Sequence, residues 1–179
     1  ERERLLGGNW KIRATAGVLF SRGWFRVIQA MPTDVTRWIR YWDKAGTEGG
    51  GKYSAGVLIG RRAGGRYLVV DVVRGRWSAG NREAVILQTA QADARRGEVE
   101  TWVEMEPGSG GKESAENTIR NLSGYTVRAD RVTGDKVTRA SPLAAQAEVG
   151  NVELLEGALA APSGAQRAVD EQIGIAPDR

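Results

Sequence analysis

Two residue types are missing altogether: the 179-residue chain has no cysteine and no histidine. That excludes disulfides, zinc sites of the usual Cys/His kind, Ser-His-Asp and Cys-His catalysis, and imidazole proton shuttles. Chemistry is left to carboxylates, Lys, Arg, Ser and Thr. Long apolar runs are missing too, and none approaches the roughly 20 residues that a membrane helix needs. The opening, Glu1 to Leu6, alternates acids with arginines and has no apolar signal core, so a cytoplasmic location and no membrane association are expected.

What is present is a globular balance, 41% hydrophobic and 27% charged, sized for one domain with a short extension. The net charge is +4, and 21 of the 26 basic residues are Arg. Arginine's planar fork suits phosphate, and six Trp beside it are compatible with a nucleic-acid binder; an Arg-rich proteome is the plainer explanation.

Residues 1–33 show no clean period and read as a connector. From Thr36 to Trp42 the chain is aromatic and β-branched and runs into Asp43, which predicts a strand ending in a carboxylate. After a Gly-rich turn, Tyr53–Arg62 and Arg66–Arg74 read as a hairpin about Ala63-Gly64-Gly65, giving an antiparallel meander of three strands. Asn81–Arg96 has helical spacing, with Gly97 as its stop. Val99–Glu104 is a strand closed by Pro107 to Gly111, Lys112–Leu122 a helix, and Tyr125–Arg131 a strand. Asp135–Val149 is a helix in which Pro142 either makes a kink or opens a second half behind Ser141, and Asn151–Leu155 is a last short strand. Strands first and then alternating helices and strands is the order of the ribonuclease H-like α/β fold, a mixed sheet with helices on both faces.

Several residues are candidates for chemistry. Asp43 at the end of a central strand needs a positive partner such as a divalent cation, unless it is a strand-end cap or a solvated turn residue. Alternation puts Glu104 and Glu106 on one strand face, where acids from neighbouring strands can hold Mg²⁺ or Mn²⁺. The turn ahead of Lys112 offers backbone N–H groups to a phosphate. Lys136 and Arg139, beside Asp135 at a helix start, can meet DNA phosphate or form an ion-paired solvated face. Asp71 reads as an acid on the wet face of an edge strand, with a metal neighbour as the alternative. Gly46–Lys52 comes within one residue of a phosphate-binding P-loop, but Tyr53 stands where the magnesium-binding hydroxyl belongs and two strands flank the loop, so that reading is rejected.

Taken in order, these segments resemble the nuclease domain of tailed-phage and prophage terminase large subunits. ERERLLGGNWKI resembles the segment that follows the packaging ATPase domain there. RYWDKAGT (40–47), YSAGVLIGR, YLVVDVVRGRW, VEMEPGSGGKESAE (103–116) and TGDKVTRASPLAAQAEVGNVELLEG (133–157) resemble its nuclease strands and helices. The resemblance implies a metal-dependent endonuclease that cuts concatemeric double-stranded DNA with two Mg²⁺ or Mn²⁺ ions, working with portal protein and small terminase subunit in a bacterial host cell. It implies a connector at 1–33 from an ATPase domain that these residues do not include, a nuclease domain at 34–157, and a divergent, poorly ordered tail at 158–179. Asp43 matches the first metal-binding acid and Glu104 the second, with Glu106 as the alternative. Lys136 and Arg139 match a basic segment to which the resemblance assigns no detailed role, and on the reading of the residues themselves Lys112, Lys136 and Arg139 are the candidates for DNA or phosphate binding. The family's last acidic motif is not matched: Pro162-Ser163-Gly164-Ala165 is followed by Gln166-Arg167-Ala168, which leaves Asp170 or Glu171 as candidates for the third acid. The alternative is a catalytically inactive prophage remnant that acts as a DNA- or portal-binding module.

Overall fold

The computed structural model of the chain describes residues 13–14, 17–45 and 52–159. A two-stranded ribbon, β1 (Arg13–Ala14) and β2 (Gly17–Val18), precedes the main sheet. The meander follows as β4 (Val35–Asp43), β5 (Ser54–Arg62) and β6 (Tyr67–Gly75), paired antiparallel. The Gly46–Gly51 turn lies outside the described residues. Helix α1 (Ala79–Asp93) is capped by the Ser78 hydroxyl, which accepts from the Asn81 amide, and a 3₁₀ turn (Ala94–Arg96) carries it to Gly97. Strand β7 (Val99–Met105), helix α2 (Ser109–Asn121), strand β8 (Val127–Arg131), helix α3 (Lys136–Glu148) and strand β9 (Val152–Leu155) complete the order.

The main sheet has seven strands in the order β3-β9-β6-β5-β4-β7-β8, where β3 is Arg26–Ile28. Residues 26–28, read from the sequence as connector, thus supply an edge strand that runs parallel to β9. Only the meander is antiparallel; β7 and β8 run parallel to β4, and β9 parallel to β6. This is the expected mixed sheet, with α1 and α2 on one face and α3 on the other. The first face holds the main core, where Trp42, Val85, Ile86 and Val103 are fully buried, with Leu58 and Leu68 further along. Each such side chain contributes roughly 1.5–3 kcal/mol of burial, so the sheet holds β4 and β7 firmly in register.

Three local expectations change. Asp71 is not at an edge, because β6 lies inside the sheet, and its carboxylate pairs with buried Arg40 at 2.8 Å across a bulge. Pro142 neither breaks α3 nor lets Ser141 cap a second half; the helix is continuous, and the Ser141 hydroxyl donates to the Val137 carbonyl. Helix α2 starts at Ser109, three residues before Lys112, so the glycine cluster is largely helix rather than turn.

Gly111 shows why. A Cβ there would overlap the Glu106 backbone carbonyl, which lies directly under the first turn of α2, whereas a Cβ at Gly110 would meet open space. Gly111→Ala should therefore cost about 1–3 kcal/mol through forced backbone movement, while Gly110→Ala is neutral or gains up to about 1 kcal/mol of helix propensity. Urea denaturation of the two variants side by side measures this, and equal midpoints would refute it.

Candidate active site

Strand alternation sends Trp42 and Val103 into the core, and Asp43 and Glu104 to the opposite face. Because β4 and β7 are parallel neighbours with Trp42 beside Val103, the two carboxylates emerge side by side at the same end of the sheet. The end of β4 is held on several sides. Buried Lys44 donates to the Ser114 carbonyl and the Thr118 hydroxyl of α2, both at 2.8 Å, and burial lowers its ammonium pKa to about 8. The Ser54 hydroxyl accepts from the Ala45 amide, and Arg82 donates to the Ala45 carbonyl. Asp43 is thus an exposed carboxylate on a fixed backbone.

Helix α3 brings the cations. Asp135 caps it by accepting from the Val137 and Thr138 amides at 2.9 Å and from the Thr138 hydroxyl at 2.7 Å, and these bonds, the hydroxyl's first, hold its carboxyl below the usual range. So anchored, Lys136 Nζ donates to Asp43 at 2.7 Å and Arg139 to Glu104 at 3.3 Å. The hydrogen bond to Asp43 raises the Lys136 pKa. Asp43 is 42% exposed and Lys136 67%, whereas Glu104 is only 8% exposed. A pocket of about 360 Å³ opens here, lined by Tyr41, Asp43, Glu104, Lys136, Arg139 and Leu19 among others. A smaller cavity of about 220 Å³ lies near Gly97 and Tyr125, and its Asp93 is already committed to Arg40.

Tyr41, on the pocket wall, belongs to a pair that the sequence reading missed. Tyr41 donates its phenol to Asp130 at 2.8 Å, and Asp130 sits opposite Glu104 in the β7–β8 register. Burial, then the bond to Asp130, pushes the Tyr41 phenol well above its usual value, so it keeps its proton and acts as a donor. Alternation on β4, which puts Tyr41 on the face of Asp43, is the signal that could have found it.

The remaining candidates lie elsewhere. Glu106 leaves the strand beyond Met105 and is exposed, so it does not share the face of Glu104. Lys112 sits one turn into α2, paired with Glu116 at 3.7 Å, and its amide is bonded to the Gly108 carbonyl rather than open to a phosphate. Asp170 and Glu171 lie outside the described residues. Among the described residues no three acids converge closely enough to hold an ion together.

The profile of the terminase RNaseH-like domain family matches residues 40–165, from the strand that ends in Asp43 to beyond β9. The chain belongs to that family. Terminase nuclease domains also share its fold among solved structures. The human cytomegalovirus terminase nuclease domain, Mn-soaked and inhibitor-bound, superposes with a TM-score of 0.55 at 12% identity, covering 89% of this chain and 87% of that one. The large terminase nuclease of thermophilic phage G20c with bound zinc gives 0.53 at 14% identity, covering 88% and 87%, and its magnesium-bound form gives 0.52 at 14%, covering 76% and 73%. A search of curated protein sequences finds no match.

In this terminase domain the Lys136–Asp43 pair is exposed, and exposed pairs contribute about 1 kcal/mol or less to stability. Lys136→Ala should therefore leave the melting temperature within a few degrees of the parent in a thermal shift assay. A large drop would make the lysine a structural strut.

Proposed function

We propose that this domain is a metal-dependent endonuclease of a viral DNA-packaging terminase, cutting double-stranded DNA. The observation that carries the reading is the placement of Asp43 and Glu104 side by side in one pocket, each facing a cation from α3. Two carboxylates are a hard oxygen donor set of the kind Mg²⁺ and Mn²⁺ prefer, and Lys136 already seats a cation 2.7 Å from Asp43, so these residues fit such an ion. Asp43 and Glu104 would hold it, with two ions as the family expectation. A bound ion of this type supplies Lewis-acid activation and a hydroxide-like nucleophile for phosphodiester hydrolysis.

The chain's own residues do the rest. Lys136 and Arg139 stand where they can exchange a carboxylate for a DNA phosphate. The neutral Tyr41 phenol orients Asp130 next to Glu104 and keeps that edge of the pocket polar. Asp170 or Glu171 would supply the third acid. The setting we propose is the host cytoplasm, with portal protein and small terminase subunit as partners.

The test is nicking of supercoiled plasmid by the purified chain in Mn²⁺, with EDTA as control. Cleavage that EDTA abolishes supports the reading. A folded chain that binds duplex DNA in a salt-sensitive way but leaves plasmid intact would be the silent DNA-binding module instead.

A further inference from the structure

A second cationic feature stands apart from α3. Tyr53 is 41% exposed, and two guanidinium groups lie against its ring, Arg74 at 4.7 Å and Arg76 at 4.3 Å from the centroid. Both arginines are exposed, and among the described residues neither has a carboxylate within ion-pair distance. By contrast the sheet arginines Arg37, Arg40, Arg62 and Arg128 are paired with acids.

The backbone builds this cluster deliberately. Trp77 is buried in the main core, and its ring fills the space where a side chain at Gly75 would stand. Alternation about that anchor sends Arg74 and Arg76 to the opposite face, which is the face of Asp43. Register gives the distance: Asp43 pairs with Ala55, and Ala55 with Arg74, so Arg74 lies two interstrand steps, about 10 Å, from Asp43 in one row across the sheet. At 3.4 Å per base pair, 10 Å is about three steps of a duplex.

We propose that Tyr53, Arg74 and Arg76 form a phosphate clamp that grips duplex DNA about three base pairs from the point of cleavage. The cation–π contacts hold both guanidinium groups at the surface before DNA arrives, so little side-chain freedom is lost when a phosphate takes their donors. The nuclease reading supplies only the identity of the ligand and the position of the cut.

The experiment measures binding of a fluorescent 20-base-pair duplex by anisotropy in EDTA, over a range of salt, with the full chain. Arg74→Gln/Arg76→Gln is compared with Arg95→Gln/Arg96→Gln, which removes the same charge from the exposed turn after α1, away from Asp43. The clamp variant should bind about tenfold more weakly, and its slope of log affinity against log salt should fall by nearly 2, as two lost phosphate contacts require. Tyr53→Ala should weaken binding while Tyr53→Phe retains it, and this pair reports on the clamp even if the double variant fails to fold. Equal slopes for the two double variants would overturn the proposal. Plasmid nicking in Mn²⁺ separates the two ideas: an active chain with equal slopes loses only the clamp, and an inactive chain with a clamp-dependent slope loses only the nuclease reading.

Discussion

Asp43→Asn should reduce Mn²⁺-dependent plasmid nicking at least about 100-fold while leaving the fold intact, the scale expected when one group that stabilises a charged transition state is removed. The two halves of that result have separate causes. Asp43 is partly exposed and its partner Lys136 more so, so the isosteric amide loses a solvent-screened pair of about 1 kcal/mol or less. For catalysis, a neutral amide is a poor ligand for a hard divalent cation. Glu104→Gln should lose activity to a similar degree but unfold earlier by about 1–3 kcal/mol, because Glu104 is nearly buried and the amide leaves the Arg139 guanidinium without a charged partner. Nicking gels, Mn²⁺ titration by calorimetry and urea denaturation of both variants measure the three quantities. Wild-type nicking by both variants would remove these acids from the site.

The largest stability loss is expected from Arg40→Met. Arg40 is 2% exposed under α1, where Nε and one terminal nitrogen bond the two carboxylate oxygens of Asp93 at 2.8 and 2.9 Å. A terminal nitrogen also reaches Asp71 at 2.8 Å, and another donates to the Gly56 carbonyl at 3.1 Å. The guanidinium thereby ties strands β4, β5 and β6 to the end of α1. Removing it strands two carboxylates in a poorly solvated space, which costs about 3–5 kcal/mol. Arg40→Lys should recover only part of this, since an ammonium cannot match the bidentate geometry. Arg40→Met with Asp71→Leu and Asp93→Leu should recover more, because no unpaired charge remains. The urea midpoint of each variant tests the ordering, and an Arg40→Met protein as stable as the parent would refute it.

The pieces legible in the sequence are those coded locally. Punctuation by Ala63-Gly64-Gly65 and the alternation around it set β5 and β6, and the run of aromatics into Asp43 set β4. Gly97 and the Asp135 cap framed two helices. What was not legible depended on partners distant in the chain. Three-residue β3 carries no pattern of its own and is a strand only because β9 lies beside it. Asp71 looked wet because nothing local says that β9 returns to the far side of β6 or that Arg40 arrives from β4. Asp130 was missed for the same reason, since its role comes from Tyr41, 89 residues earlier. At Gly111 the residue type was noticed but the cause was not: a carbonyl pressed against a helix excludes a Cβ, and glycine alone does not distinguish that from a phosphate loop.

The two ion pairs from α3 bear on when the domain can be assembled. Small metal-dependent domains that need their ion to fold are unfolded by chelators, because the free energy of binding the ion is part of their folding free energy. Here Lys136 and Arg139 already balance Asp43 and Glu104, so the proposed ligands are neutralised within the fold itself. On the proposed nuclease reading, an ion would take the place of these cations without rebuilding the sheet.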